Sequence, residues 1–232
     1  MKIAIMGAMP EEIAPILEKL EKYTTKEYAG NTYYEATYKG VELVIAYSKI
    51  GKVFSTLTAA TMIEHFGAEK LLFSGVAGAV SPELKVGDLV VATKLAQHDL
   101  DITAFGHPFG YVPGGSVYID TDVKLRALAQ DVAREMGVVT KEGIIATGDQ
   151  FVANEERKNF ISTTFNADAL EMEGASVAVV CDALNVPFFI LRAISDAADM
   201  DASFSFDEFL ETSAKISATF VMKMVDALVV QK

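Results

Sequence analysis

Apolar runs of strand length recur along the whole chain. Six of them stand out: KIAIMG, VELVIAYS, KLLFSGVAG, VGDLVVATK, EGIIATGD and PFFILRAIS. Several are apolar at consecutive positions rather than at every second one, which is typical of strands that are covered on both faces. The pattern therefore predicts a central sheet that lies inside the protein.

Stretches with the helical spacing of apolar residues lie between these runs. They are EEIAPILEKLEKY, STLTAATMIEHF, DVKLRALAQDVAREM, ASVAVVCDAL and FDEFLETSAKISATFVMKMVDALV. Alternating strands and helices indicate an α/β layered fold with a mainly parallel central sheet. NTYYEATY and VELVIAYS, joined by Lys39 and Gly40, are typical of an antiparallel hairpin, so a mixed sheet is expected. No linker, repeat or low-complexity segment divides residues 1–232, and we expect a single domain.

The charge balance narrows the class of ligand. With 32 acidic and 20 basic residues the formal net charge is −12, which disfavours nucleic acid and anionic membrane as partners because both require a basic surface. Cys181 is the single cysteine, so an intramolecular disulfide is impossible, as is usual in a reducing compartment. The N-terminus lacks the apolar core of a signal peptide, and no run reaches the roughly 18 apolar residues of a membrane span. We therefore expect a soluble, cytoplasmic protein.

Unusual residues follow four of the predicted strands. Ligands in open α/β sheets bind beyond the carboxyl ends of the strands, so these positions are candidates for a site. The four segments are Ala8–Glu12 after KIAIMG, Gly75–Gly78 after KLLFS, Gly148–Phe151 after EGIIAT, and Asp196 after PFFILRAIS. Each contains Gly or an acidic residue, which predicts a pocket that carries carboxylates.

Acids in these segments have both a structural and a catalytic interpretation. Pro10 fits the first turn of a helix, where Glu11 and Glu12 would favour the helix dipole. Alternatively, one of these two acids points towards the strand ends as a general base. Asp196 follows a strongly apolar strand. It either caps a turn or acts as a general acid whose pKa is raised in a partly desolvated pocket.

Buried charges are predicted in LEMEGASVAVV and PFFILRAIS. Arg192 lies inside the apolar strand, where an unpaired charge is costly. It therefore requires an acid partner, and Glu12 or Glu173 would serve. Glu173 has two interpretations: a structural partner of Arg192, or a bidentate acceptor for two neighbouring hydroxyls such as a ribose diol. Glu171 is expected to point elsewhere and to be structural.

Several common kinds of site are disfavoured. The chain has no Walker A sequence and no GxGxxG after the first strand, so a loop for nucleotide phosphates is not indicated. His65, His98 and His107 have no metal-ligand spacing, and we expect neither a metal nor a cofactor. A Ser-His-Asp triad stays open, although the GxSxG elbow is absent from the sequence.

Eight segments taken together resemble one family. They are IMGAMPEE, SKIGKV, FSGVAGAV, DITAFGH, GDQFV, LEMEGASVA, LRAISDAAD and FSFDEF. In this order they are similar to the bacterial 5′-methylthioadenosine/S-adenosylhomocysteine nucleosidases of the purine nucleoside phosphorylase superfamily. The resemblance implies a homodimer and a three-layer αβα sandwich with a central mixed, partly barrel-like sheet. It also implies hydrolysis of the N-glycosidic bond between adenine and a 5′-substituted ribose.

The resemblance assigns roles to residues as well. It implies that Glu12 is the base that activates water, that Asp196 is the acid that protonates adenine N7, and that Glu173 accepts both ribose hydroxyls. The other implied contacts are Met172 at the ribose, Phe151 and the backbone of Val152 at adenine, Gly78 at a close main-chain approach, Met9, Ile50 and Phe206 at the 5′-thio group, Arg192 beside the water, and Ile102 and Phe105 from the partner subunit.

Three hypotheses of function remain. Hydrolysis is favoured over phosphorolysis because a phosphate nucleophile requires Arg clamps. The chain has only four Arg, of which Arg192 alone is predicted to be buried, and Glu12 would repel phosphate. The third hypothesis is a catalytically silent nucleoside-binding module, which would need neither base nor acid.

Two details of the resemblance bear on the substrate and the water. Val76 stands where many family members have Ser, so a hydroxyl that helps to hold water is missing. SKIGKV and GDQFV resemble a branch whose members also cleave 6-amino-6-deoxyfutalosine, an adenine nucleoside of menaquinone synthesis. The resemblance therefore leaves open whether the protein serves methionine salvage or menaquinone synthesis.

Overall fold

The computed structural model describes residues 1–199 and 201–230. Within this part of the chain the strands are β1 (Lys2–Gly7), β2 (Thr24–Tyr28), β3 (Asn31–Tyr38), β4 (Val41–Tyr47), β5 (Lys70–Ala79), β6 (Leu89–Gln97), β7 (Ile119–Asp120), β8 (Thr140–Thr147), β9 (Ala169–Glu171) and β10 (Phe188–Asp196). The α-helices are α1 (Pro10–Leu17), α2 (Lys52–Glu64), α3 (Val123–Met136), α4 (Glu155–Phe165), α5 (Gly174–Ala183) and α6 (Ala202–Val230), and a 3₁₀ helix spans Thr103–Phe105.

Five strands close into a small barrel. The order around the ring is β5-β10-β6-β8-β9, and β9 pairs back with β5. From β5 the sheet continues outward through β1, β4, β3 and β2, so that Ile5 of β1 lies between Ile45 of β4 and Leu72 of β5. Closure removes the open edges that these strands would otherwise present.

Helices cover the sheet on two sides. The core beneath α1, α3 and α6 includes Ile16, Leu128 and Phe220. The core on the other face, beneath α2 and α5, includes Met62 and Val177. The result is the expected three-layer αβα sandwich with a partly barrel-like sheet. Because helices lie on both faces, the central strands are apolar at consecutive positions.

The sheet departs from the sequence prediction in one respect. The antiparallel hairpin is confirmed, with Tyr38 opposite Val41 and positive φ angles at Lys39 and Gly40. A mainly parallel sheet, however, is wrong, since five of the described strand pairs are parallel and five are antiparallel. Apolar patterning also does not predict β2, β7, β9 or α4, and β2 is exposed at every position.

The strand ends meet on one side of the barrel. The last residues of β5 and β10, and the segments that follow β1, β8 and β9, face a common space. This arrangement agrees with the general placement of ligands at the carboxyl ends of strands. In the described part of the chain, no helix combines the length and the apolar character needed to cross a membrane.

Candidate active site

A cavity of about 280 Å³ lies where these strand ends meet. Predicted contact residues from seven separate segments line it. They are Met9, Glu12, Ile50, Gly78, Phe151, Val152, Met172, Glu173, Asp196 and Phe206. Residues that are far apart in the sequence therefore surround a single space.

Glu12 projects from the first turn of α1 into the cavity and is buried. Its Oε2 accepts hydrogen bonds from the backbone N–H groups of Ala8 and Met9, and its Oε1 accepts one from Val76 at 3.0 Å. Burial raises the pKa of Glu12, whereas the charge of Arg192 and the three N–H groups act in the opposite direction. Glu12 thus caps α1 and also presents a carboxylate that can accept a proton from water.

Asp196 ends β10 and is only 4% exposed. Its Oδ1 accepts a hydrogen bond from the N–H of Ala198 at 2.8 Å, and its Oδ2 accepts one from the hydroxyl of Ser195 at 2.9 Å. Burial raises the pKa of Asp196, and these two hydrogen bonds offset part of the effect. A raised pKa increases the protonated fraction near neutral pH, which suits a general acid.

Two glycines of β5 make room for these acids. A Cβ on Gly75 would lie 2.8 Å from Oε1 of Glu12, and a Cβ on Gly78 would lie 2.7 Å from Oδ1 of Asp196. Both distances are too short for a carbon–oxygen contact, so larger residues would displace the carboxylates. The resemblance implies that Gly78 permits a close approach of main chain to ligand; its clear structural effect is to accommodate Asp196.

Arg192 pairs with Glu171 rather than with either predicted partner. Its Nη2 lies 2.6 Å from Oε2 of Glu171, and both side chains are almost fully buried. The prediction that Glu12 or Glu173 forms this ion pair is therefore wrong. The reason is barrel closure: β9, which ends at Glu171, and β10, which carries Arg192, both pair with β5. Arg192 does not line the cavity and acts on Glu12 through its charge.

Glu171 is satisfied by several donors, as a structural role requires. Besides Arg192, the hydroxyl of Thr147 donates to its Oε1, and the N–H groups of Glu173 and Gly174 donate to its Oε2 at 3.2 and 2.7 Å. A carboxylate that is held in this way fixes the start of α5. It therefore fixes the backbone from which Glu173 projects.

Glu173 precedes α5 and faces the cavity. The backbone N–H of Gly51 donates to its Oε1 at 2.8 Å. Burial raises the pKa of Glu173, and the neighbouring charge of Glu171 raises it further. Because Glu173 is not the partner of Arg192, its structural interpretation fails, and a carboxylate that is available to a ligand remains.

Burial of Glu173 should make stability depend on pH. Its pKa is raised from the usual 4.5 to about 8 in the folded state. Between these two pH values the folded protein therefore binds more protons than the unfolded chain. This contribution to stability is lost as pH rises through that range. As pH is raised from about 5 to about 9, the free energy of unfolding of Glu173→Gln, measured with urea, should rise by at least about 1 kcal/mol relative to that of the unmodified protein. A difference in unfolding free energy that does not change with pH would contradict this expectation.

Apolar side chains form another part of the cavity wall. Phe151 and Phe206 contact each other edge to face, with ring centres 5.6 Å apart. Met9 and Ile50 lie beside them, and Val152 is buried. A flat aromatic ring or a thioether would be well accommodated by these surfaces.

Ile102 and Phe105 do not contact the cavity of their own subunit. They lie at and within the short 3₁₀ helix, and Phe105 is 81% exposed. An exposed aromatic residue of this kind is free to contact another subunit, which is what the predicted role requires.

Sequence reasoning assigned no ligand contact to some of the lining residues, although it placed Ala8, Ala77 and Gln150 in candidate segments. The residues without an assigned contact are Ala8, Ala77, Gln150, Leu170, Glu171 and Ser195. Each lies within two positions of a predicted contact residue in the sequence, and that proximity was the available signal. Ser195 is the most informative of them because its hydroxyl donates to Asp196.

Metal ligands do not cluster at this site. Within residues 1–199 and 201–230, no group of three or more His, Cys, Asp or Glu side chains is placed to bind a metal ion. His98 is buried and its Nδ1 lies 2.9 Å from Nη2 of Arg157. Burial and the charge of Arg157 lower the pKa of His98 to about 4, so its imidazole is neutral at physiological pH.

Comparison with known proteins agrees with this geometry. The family model of the Phosphorylase superfamily matches residues 2–229. The chain is 64% identical over 228 residues to an aminodeoxyfutalosine nucleosidase of Campylobacter jejuni, covering 98% of this chain and 100% of the relative. It is 38% identical over 230 residues to a 5′-methylthioadenosine/S-adenosylhomocysteine nucleosidase of Anoxybacillus flavithermus, covering 98% and 99%. The structure of the Helicobacter pylori 5′-methylthioadenosine/S-adenosylhomocysteine nucleosidase with butyl-thio-DADMe-Immucillin-A superimposes with a TM-score of 0.96 at 53% identity, covering 97% of each chain.

Proposed function

The chain belongs to the Phosphorylase superfamily, and from this premise we propose that it hydrolyses the N-glycosidic bond of adenine nucleosides that are substituted at the 5′ position. One observation carries the proposal: four buried carboxylates line one cavity that is otherwise mainly apolar, and Glu171 is held by Arg192, which leaves Glu12, Glu173 and Asp196 for the ligand. Such a site can bind a nucleoside, activate water and protonate a leaving group.

The adenine base leaves only when it is protonated. Asp196, whose pKa is raised by burial, donates a proton to N7 of adenine as the glycosidic bond breaks. Phe151 stacks on the base, and the backbone of Val152 contacts its edge. Removal of negative charge from the departing base is the contribution of the acid, worth roughly 10²–10⁴-fold in rate.

The ribose passes through a state with oxocarbenium character, as in glycoside hydrolysis. Glu173 accepts hydrogen bonds from the 2′- and 3′-hydroxyls beside Met172, and in its ionised form it stabilises the positive charge that develops on the ring. Glu12 accepts a proton from the attacking water. The apolar side chain of Val76 leaves the orientation of this water to Glu12 and to the charge of Arg192.

Phosphorolysis is disfavoured by the charge of the cavity. No Lys or Arg is among the described residues that line it, and the guanidinium of Arg192 is occupied by Glu171. A phosphate nucleophile would meet the carboxylate of Glu12 without a compensating cation. Water is therefore the nucleophile that suits this site.

The relatives narrow the choice of substrate. They are named for aminodeoxyfutalosine and for 5′-methylthioadenosine and S-adenosylhomocysteine. We propose that this protein accepts all three compounds, since the adenine and the ribose diol are common to them. Met9, Ile50 and Phe206 surround the 5′ substituent, where the compounds differ.

A panel of nucleosides tests this proposal. Purified protein would be incubated separately with 5′-methylthioadenosine, S-adenosylhomocysteine and 6-amino-6-deoxyfutalosine, and adenine release would be followed. We expect adenine from each compound, and the ratio of the kcat/KM values would identify the preferred 5′ substituent. Binding without any release of adenine would instead indicate a silent nucleoside-binding module.

The proposed active unit is a homodimer in which Ile102 and Phe105 reach the site of the partner subunit. Its support is an exposed apolar surface, the α2 face, formed by Ile50, Val53, Phe54 and Leu57. These side chains are 45–76% exposed in the isolated chain. Ile50 of this face also lines the cavity. Apolar side chains clustered on one helix face mark protein–protein contacts.

Charged residues on the α2 face should dissociate the dimer. We expect the double variant Val53→Asp, Leu57→Asp to elute as a monomer in size-exclusion chromatography with light scattering. Its kcat/KM should fall at least about tenfold, because the loss of one aromatic contact costs roughly 1.4 kcal/mol or more. Val139→Asp, at a site that is 90% exposed between α3 and β8, serves as the control. A double variant that stays dimeric and fully active would place the interface elsewhere.

A further inference from the structure

A partly buried ion pair lies outside the cavity. Nζ of Lys52, the first residue of α2, lies 2.7 Å from Oδ1 of Asp99, just beyond the end of β6. The two side chains are 19% and 16% exposed. Nζ of Lys52 also donates to the side-chain oxygen of Gln97 at 3.1 Å. None of these residues lines the cavity, and the proposed mechanism does not use them.

Asp149 extends this pair to a third segment. Its backbone N–H donates to Oδ2 of Asp99 at 2.8 Å, and its own Oδ1 accepts the backbone N–H of Lys52 at 2.8 Å. Lys52, Asp99 and Asp149 thus form a closed ring of contacts, hereafter the Lys52 clamp. The ring joins the first residue of α2, the segment after β6 and the segment after β8.

Both loops that leave the clamp enter the site. Gly51, next to Lys52, donates its N–H to Glu173. Its φ of +100° and the 3.0 Å separation between a Cβ placed there and Oδ1 of Asp149 leave no room for a side chain. Asp149 directly precedes Gln150, Phe151 and Val152, which line the cavity. The Lys52 clamp therefore adjoins two loops. One donates the hydrogen bond to Glu173, and the other lines the cavity where adenine is proposed to bind.

We propose that Lys52, Asp99 and Asp149 are positioning residues that hold the N–H of Gly51 against Glu173, so that this carboxylate is oriented for the ribose hydroxyls. This inference rests on the proposed function. The clamp lies outside the cavity and acts through the Gly51–Glu173 hydrogen bond. The charges of Lys52 and Asp99 are paired with each other, and the carboxylate of Asp149 accepts the backbone N–H of Lys52, so the contribution of the clamp is geometric rather than a direct charge on the substrate. Displacement of a catalytic group by about 1 Å can cost roughly 10²-fold in rate.

The test compares two substrates that differ by one hydroxyl. Asp99→Ala removes two of the three acceptor oxygens of the clamp, and kcat/KM would be measured with 5′-methylthioadenosine and with its 3′-deoxy analogue. We expect a fall of about 10²-fold for the first compound and of less than about threefold for the second, which cannot use the full contact with Glu173. The preference for the ribose diol should thus collapse. Equal losses for both compounds, or no loss, would overturn the proposal.

Further variants separate positioning from general damage. Asp149→Asn keeps an oxygen that can accept the N–H of Lys52 and should retain activity, whereas Asp149→Ala should behave like Asp99→Ala. Glu83→Ala removes the partner of Lys141 in a 2.8 Å ion pair away from the cavity and should leave the preference for the diol unchanged. If Asp99→Ala does not fold, Lys52→Met provides the same test.

A readout that does not need turnover completes the experiment. Hydrogen–deuterium exchange should be faster in Asp99→Ala than in the unmodified protein for peptides covering 49–57 and 148–153, and unchanged in Glu83→Ala. Unchanged exchange in these peptides would contradict the clamp. Failure of the unmodified protein to release adenine would reject the proposed function, and the exchange data would still decide whether the clamp couples the two loops.

Discussion

Replacement of Asp196 by Asn is expected to abolish adenine release while the protein still folds and binds its substrate. The amide is nearly isosteric with the carboxyl group, retains an oxygen for the N–H of Ala198, and can donate to the hydroxyl of Ser195, which now donates to Asp196. The amide cannot, however, transfer a proton to adenine. We expect kcat to fall by about 10²–10⁴-fold with little change in KM.

The measurement is steady-state release of adenine together with calorimetric binding of 5′-methylthioadenosine. Asp226→Asn is the matched control, since Asp226 lies on α6 away from the cavity and pairs with Lys39 of the β3–β4 turn. Undiminished turnover by Asp196→Asn would remove this residue from the acid role. Loss of binding together with turnover would indicate that the acid chiefly shapes the site.

Glu12→Gln is the second substitution with a large expected effect. Gln retains one oxygen, but its NH₂ group must face backbone N–H groups that now donate to the carboxylate, either those of Ala8 and Met9 or that of Val76. The side chain also loses the ability to accept a proton from water. We expect kcat to fall by about 10²–10⁴-fold, as measured by adenine release under saturating substrate.

Glu11→Gln separates catalysis from the helix dipole. Glu11 and Glu12 share the first turn of α1, but Glu11 is exposed and outside the cavity. Both substitutions weaken the favourable interaction with the helix N-terminus, so only Glu12→Gln should lose activity. Similar activities for the two variants would exclude Glu12 as the base.

Sequence patterning located the acids well because few positions were available for them. Long apolar strands leave few interior positions for acids. Glu12 lies in the helix that follows β1 and Asp196 ends β10, and both strands are neighbours of β5. Nearby residues also determine the backbone conformation around these acids: Pro10 begins α1, and Gly75 and Gly78 make room for the carboxylates. These features are readable without knowledge of the strand order.

The partner of Arg192 was not predictable in the same way. Two acids were compatible with the rule that a buried charge needs a partner, and neither is the one that pairs. The choice of Glu171 depends on β9 and β10 both adjoining β5, which is a property of barrel closure. β9 has only three residues, too few to produce a recognisable apolar pattern.

The Lys52 clamp shows the same limit over a longer distance. Lys52 and Asp99 are ordinary charged residues in the sequence, and 47 positions separate them. Only the folded chain brings them to 2.7 Å. Contacts that depend on the relative placement of three loops have no local sequence signal. The motifs SKIGKV and GDQFV contain Lys52 and Asp149, but the motifs alone do not indicate that these residues meet.

In the proposed reaction water, and not phosphate, attacks the sugar when adenine leaves. The most direct measurement is analysis of the sugar product after incubation with 5′-methylthioadenosine in the presence and absence of inorganic phosphate. We predict equal rates of adenine release in both conditions and free 5-methylthioribose as the sugar product. A sugar 1-phosphate whose formation requires phosphate would contradict both the role of Glu12 as the base and the exclusion of phosphate from a cavity without a lining cation.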